Sequence, residues 1–273
     1  MALKGKVATA LLTDTGQLRT NNEDSVGEEP DIGLLVLADG MGGYNAGEVA
    51  SAIAVNTVLE SSRKAWPTIQ AAEIDAESGY SGAALLLKSA VEESHRTIYS
   101  VSQSQPQCAG MGTTIVACLL HDDRMSIAYV GDSRLYRLRD GSLEQITRDH
   151  SLLEELIARG HYSRDDAARL VRKNIVTRAL GVEPDVLVDI IEEPIEVGDV
   201  LILCSDGLTD MVPDEDIRLT LEKRTDNLQS AATALVALAN RNGGKDNVSV
   251  VLARVDAPLT QGRRWFERLM EWF

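Results

Sequence analysis

The chain has 273 residues, enough for one large domain or two modest ones. Its 44% apolar and 25% charged residues are the balance of an ordinary globular protein, which excludes a disordered tail, a collagen-like chain and a small disulfide scaffold. With 42 Asp and Glu against 27 Lys and Arg the formal charge is −15, so duplex nucleic acid and anionic lipid are repelled at long range and no nucleic-acid partner is expected.

In chain order, the first twenty residues meet Asp14 and Arg19 too early for a secretory signal. No run reaches the roughly 18 apolar residues of a membrane span. Apolar runs predict strands over Val7–Thr13, Gly33–Ala38, Thr114–Leu120, Met125–Val130, Val186–Ile191, Val200–Ser205 and Asn247–Val255. Leu135–Leu138 and Leu143–Ile146 flank Asp140-Gly141, a two-residue hairpin signal. Amphipathic periodicity predicts helices over Gly47–Lys64, Ala83–Ser102, Pro213–Leu221 and Asn227–Asn240, with 67–82 as a polar loop or short helical insertion. Hairpins outnumber βαβ units, so the expected architecture is α+β, antiparallel sheets covered by helices. Cys108, Cys118 and Cys204 have no CxxC spacing and read as reduced core residues, pointing to a cytoplasmic protein; a monomer is expected.

Acidic residues recur at the ends of the apolar runs. Leu34–Ala38 stops at Asp39-Gly40, Ala128–Gly131 at Asp132 and Val200–Ser205 at Asp206-Gly207, while Asp246 immediately precedes the last run. If the last strand runs antiparallel to the others, these carboxylates gather at one edge of the sheets. Such a cluster repels itself unless protonated or neutralised. Carboxylates, carbonyls and water are hard donors suited to Mg²⁺ or Mn²⁺, and His95, His121, His150 and His161 show no zinc-type spacing. A lone Asp-Gly is an ordinary turn, but four strand-end carboxylates favour a metal site. No Walker or GxGxxG spacing follows Gly42-Gly43, Cys204 lies inside a strand run, and Ser205 has no GxSxG context.

Thr13–Asp24, Ala38–Gly43 and Gly47–Ser51 resemble the opening motifs of the metal-dependent protein phosphatases, the protein phosphatase 2C family. Gly112–Thr114, Val130–Arg134, Arg148–Ser151, Thr177–Gly181, Ser205–Leu208 and Asp246-Asn247 follow in that family's order. The resemblance spans about residues 5–256 and is most similar to the bacterial branch. It implies a four-layer α/β/β/α fold, a β-sandwich flanked by helices, with two Mn²⁺ or Mg²⁺ ions and a third, weaker one. By motif, Asp39 would bridge the two ions, Asp206 and Asp246 would complete the first, and the Gly40 carbonyl would bind the second. Asp132, sharing Asp206, would hold the third. Arg19 would clamp the substrate phosphate, Glu23 and Asp24 would hold metal-bound waters, and Asn247 would help the geometry around the ligands.

The implied activity is hydrolysis of phosphoserine and phosphothreonine by a metal-bridging hydroxide. The expected partners are phosphorylated proteins, including a Ser/Thr kinase and its targets. Met41 stands where some members carry a His proposed as general acid, leaving a water on the third metal or His161 as candidates. Residues 151–173 resemble the flap beside the active site. We expect a catalytic domain over 1–257 and an amphipathic tail helix over 258–273. In that tail Trp265, Phe266, Leu269, Met270 and Phe273 fall near one face, for packing, docking or a weak membrane-interface contact.

Overall fold

The computed structural model describes Leu3 and residues 5–42, 46–158, 160 and 175–260. Two antiparallel sheets are stacked. The first has the order β1 (Val7–Asp14), β11 (Val248–Val255), β10 (Val200–Cys204), β7 (Arg134–Arg139) and β8 (Ser142–Gln145). The second runs β2 (Asp24–Glu29), β3 (Leu34–Met41), β5 (Ile115–His121), β6 (Arg124–Val130) and β9 (Asp189–Pro194), with the short β4 (Gly112–Thr113) paired to β3.

Helices α1 (Ala46–Ala65) and α2 (Gly82–Ser104) cover the second sheet, and α6 (Leu228–Arg241) covers the first beside α5 (Asp214–Glu222). Shorter helices α3 (Leu152–Ala158) and α4 (Asp206–Thr209) follow strand ends. Each of the three apolar clusters fills one gap of a four-layer α/β/β/α stack. One includes Val58, Leu87, Val36 and Ala117, a second Leu35, Val116, Leu203 and Val251 between the sheets, and the third Ile202, Leu235 and Val250. The α+β sandwich expected from the hairpin-rich pattern is therefore the fold.

Alternation explains the stacking. In β3, Leu34, Val36 and Ala38 turn to the helices while Leu35 and Leu37 turn to the other sheet, so the strand reads as a continuous apolar run. The Asp140-Gly141 hairpin has positive φ at both residues, +49° and +75°, as a type I′ turn requires.

Three local expectations change. β2 escapes an apolar-run criterion because DSVGEE is a half-buried edge strand. The strand expected at Val186–Ile191 begins at Asp189, because its partner β6 ends beside it at the Tyr129–Asp189 pair. Strand β10 stops at Cys204, where Ser205 becomes the N-cap of α4. Leu259 is buried against the inter-sheet core and Thr260 bonds Asp123 through both its N–H and its hydroxyl, so the chain is anchored past residue 257. The tail over 261–273, His161 and most of the flap-like segment lie outside the described residues.

Candidate metal centre

The antiparallel pairing of β2 with β3 sets Asp24 opposite Asp39. The Asp39 backbone is fixed from the neighbouring strand. Its N–H donates to Thr114 Oγ1 at 3.1 Å, and its carbonyl accepts from the Thr114 N–H and the Thr113 hydroxyl, both at 2.9 Å. Gly40 follows where the start of α1 crosses the strand. A Cβ there would lie 2.2 Å from the Gly47 carbonyl and 2.5 Å from that of Glu23, so only glycine permits the approach.

The remaining acidic residues arrive from both sheets. Asp132 follows β6, Asp206 follows β10, and Asp246 precedes β11. Arg19, Glu23, Asp39, Gly40, Asp132, Asp206 and Asp246 line one cavity of about 350 Å³, joined by Met41, Gly42, Thr114 and Val176. Seven of the eight residues expected to hold metal, water or phosphate therefore surround a single space. The eighth, Asp24, is buried beside Asp39, where Ser205 Oγ and Ser249 Oγ donate to its Oδ2 at 2.9 and 2.6 Å.

The loop carrying Arg19 is held by Asn247. Its Nδ2 donates to the carbonyls of Thr15 and Asn21 at 3.0 and 2.9 Å, and its Oδ1 accepts the Glu23 N–H at 2.8 Å. The N–H groups of Gln17 and Leu18 both donate to the Gly244 carbonyl. The Arg19 guanidinium, half exposed, meets Asp246 at 2.7 Å.

The electrostatics are those of a site short of positive charge. Burial, then repulsion from Asp24, Asp206, Asp132 and Asp246, pushes the Asp39 carboxyl well above its usual range. Asp206 is raised by burial and then by Asp132 and Asp210. Burial and Asp149 lift Asp132 to about 6. Asp24 is raised by burial against the pull of its two serine hydrogen bonds, and its Oδ1 is buried without a hydrogen-bond partner.

Among the described residues no three His, Cys, Asp or Glu side chains stand as a ready-made ligand set. The donor chemistry nevertheless suits a hard divalent cation. The acidic residues lining the cavity offer carboxylate oxygens, no His or Cys joins them among the described residues, and a buried carboxylate oxygen is left over. The sequence assigned no role to Thr114, Val176 or Asp210. The motif Gly112–Thr114 pointed toward the first, but its contact with Asp39 depends on strand pairing that no local pattern encodes.

The sequence pattern of the family described as Protein phosphatase 2C matches residues 17–240. The serine/threonine phosphatase stp of Listeria monocytogenes serotype 4b is 40% identical over 256 residues, covering 92% of this chain and 96% of its own. The crystal structure of the Mycobacterium tuberculosis serine/threonine phosphatase PstP/Ppp superposes with a TM-score of 0.80 at 35% identity, covering 92% of this chain and 99% of that one. The PstP catalytic domain in complex with two manganese ions gives a TM-score of 0.78, again at 35% identity and with the same coverage of both chains.

Proposed function

The chain belongs to the protein phosphatase 2C family and is a metal-dependent serine/threonine phosphatase of its bacterial branch, and we propose that its reaction takes place in the carboxylate-lined cavity. The observation that carries this reading is the convergence of Asp39, Asp132, Asp206 and Asp246 on one space that Arg19 also lines. Asp39 would be shared by two Mn²⁺ or Mg²⁺ ions, with Asp206 and Asp246 on the first and the Gly40 carbonyl on the second. Asp132, with Asp206, would hold a third, weaker ion. The bound ions supply positive charge that acidifies water and offsets the charge of the phosphoryl oxygens.

The chain's own groups then divide the remaining work. Arg19 offers a planar fork to two phosphate oxygens, and Asn247 keeps its loop in place. Glu23, on the cavity wall, offers an acceptor that orients water for in-line attack on phosphorus, and Asp24, buried beside Asp39, would reach such water only through its Oδ1. Met41 has no proton to donate, which leaves water or His161, outside the described residues, as candidate donors to the leaving serine or threonine oxygen. Substrates would be phosphoserine and phosphothreonine proteins, in opposition to a Ser/Thr kinase, in the cytoplasm and as a monomer. No helix among the described residues is long and apolar enough to cross a membrane.

Calorimetric titration with Mn²⁺ tests the ligand assignment. Wild-type protein takes up at least two ions, while Asp206→Asn and Asp246→Asn each weaken or lose one. Uptake unchanged in both variants would show that the ions are held elsewhere.

A further inference from the structure

We propose that His150 is a positioning residue, tying the Asp132 loop to the segment that carries Val176, so that the cation site and the wall of the substrate cavity are held as one unit. The proposal rests on the reading of Asp132 as a cation ligand. Asp132 and Val176 both line the cavity but belong to chain segments more than forty residues apart, and His150 contacts both segments.

On one side, His150 and Gly131 are joined twice. The Gly131 N–H donates to His150 Nδ1 at 3.0 Å, and the His150 N–H donates to the Gly131 carbonyl at 2.9 Å. Gly131 has φ +109°, and a Cβ there would sit 2.6 Å from Thr114 Cβ, so this is a backbone geometry that needs support. On the far side of Asp132, Ser133 Oγ lies 2.7 Å from Thr114 Oγ1. Asp132 is thus bracketed by two held neighbours.

On the other side, the His150 carbonyl accepts the Thr177 N–H at 2.9 Å, and Ser151 bridges Val176. The Nε2 atom lies 3.1 Å from Asp189 Oδ2, and Arg178 Nη1 donates to Asp189 Oδ1 at 2.7 Å while lying 3.3 Å from Nε2. Tyr129 stacks on the ring with centroids 5.0 Å apart. A backbone N–H can only donate, so Nδ1 is the acceptor and the ring proton sits on Nε2, directed at Asp189. Burial, then the Arg178 guanidinium, holds the imidazole below its usual pKa, against the opposing pull of Asp189 and Asp149. The neutral tautomer that this geometry needs is therefore the one favoured.

Two substitutions separate the halves of the ring. Asparagine places its Oδ1 near the Nδ1 position and can still accept from Gly131, whereas glutamine reaches the Nε2 position and leaves Gly131 unpaired. Mn²⁺ isotherms and melting temperatures are measured for wild type, Asp132→Asn, His150→Asn and His150→Gln. Asp132→Asn loses the weakest binding step. His150→Gln weakens that step by about two- to tenfold, the worth of one buried hydrogen bond, while His150→Asn stays within about twofold of wild type.

A purely architectural histidine would lower both melting temperatures and leave the two affinities alike, and that result overturns the proposal. Should His150→Gln not fold, His150→Ala, which also leaves the Gly131 N–H without its side-chain acceptor, is expected to weaken the same step. An unchanged affinity there also overturns it. A wild-type isotherm from Asp132→Asn removes the ligand reading and the proposal with it, an outcome distinct from equal His150 variants.

Discussion

Asp39 is held by its backbone, which turns its carboxyl toward the cavity and Asp24. Two threonines from the neighbouring strand bond its N–H and carbonyl, so the direction of the side chain is set by the backbone. Arg19 shows the converse arrangement, an exposed head on a loop tied down by Asn247 and the Gly244 carbonyl. Replacing Arg19 by Lys keeps the charge and removes the fork. We expect KM for a phosphothreonine peptide to rise about tenfold or more, the scale of one charge-assisted hydrogen bond, with the fold intact. Steady-state kinetics beside a melting curve check this, and an unchanged KM would exclude Arg19 from phosphate binding. The strand-end aspartates were legible in the sequence because an apolar run that stops at a carboxylate is a local pattern. Asn247, Thr114 and His150 were legible only as parts of motifs. What they hold lies tens or hundreds of residues away, so their contacts exist only once the sheets have formed.

At the level of elements, the hydrophobic period located the long helices and the central strands, since both bury continuous faces. It missed β2, whose half-buried polar residues carry no such signal, although β2 is what sets Asp24 opposite Asp39. It also placed β9 three residues early. Val186 and Val188 are apolar and pack toward the α1–α2 side, but the ladder starts only where β6 offers a partner. The start of α2 illustrates how separate elements are joined. Ser81 Oγ accepts the Ala84 N–H at 3.2 Å as N-cap and donates to Glu192 Oε1 at 2.5 Å on β9, toward the end of β6 away from the aspartates. Ser81→Ala removes the cap and the hydroxyl's bond to Glu192, leaving the backbone N–H bond to Glu192 in place. A cap is worth about 1 kcal/mol, so the melting temperature should fall by about 2–4 °C while phosphatase turnover is retained. Differential scanning calorimetry measures the shift, and loss of turnover at unchanged stability would mean that the cap reaches the site by another route.

Across the whole molecule, the two stacked sheets bring strand ends to one edge, where five of the chain's 42 acidic residues share a cavity with Arg19. The carboxyls of Asp24, Asp39, Asp132 and Asp206 are all raised, so the metal-free folded state holds their protons more tightly than the unfolded chain does. Stability from these groups is full below the unfolded value of 3.8 and is lost as pH climbs through the folded values, about 6 for Asp132. Chelated protein should therefore melt lower at pH 8 than at pH 5 as far as this cluster is concerned. Added Mn²⁺ should raise the melting temperature more at pH 8, where it meets ionised carboxylates rather than protons. An equal Mn²⁺ shift at both values would dissociate metal binding from these aspartates. The most direct measurement is phosphate release from a phosphothreonine peptide as Mn²⁺ is titrated into chelated wild-type and Asp39→Asn protein. Wild type should rise from no turnover to a saturating rate while Asp39→Asn stays at baseline; turnover under chelation, or equal curves for the two proteins, would contradict the account.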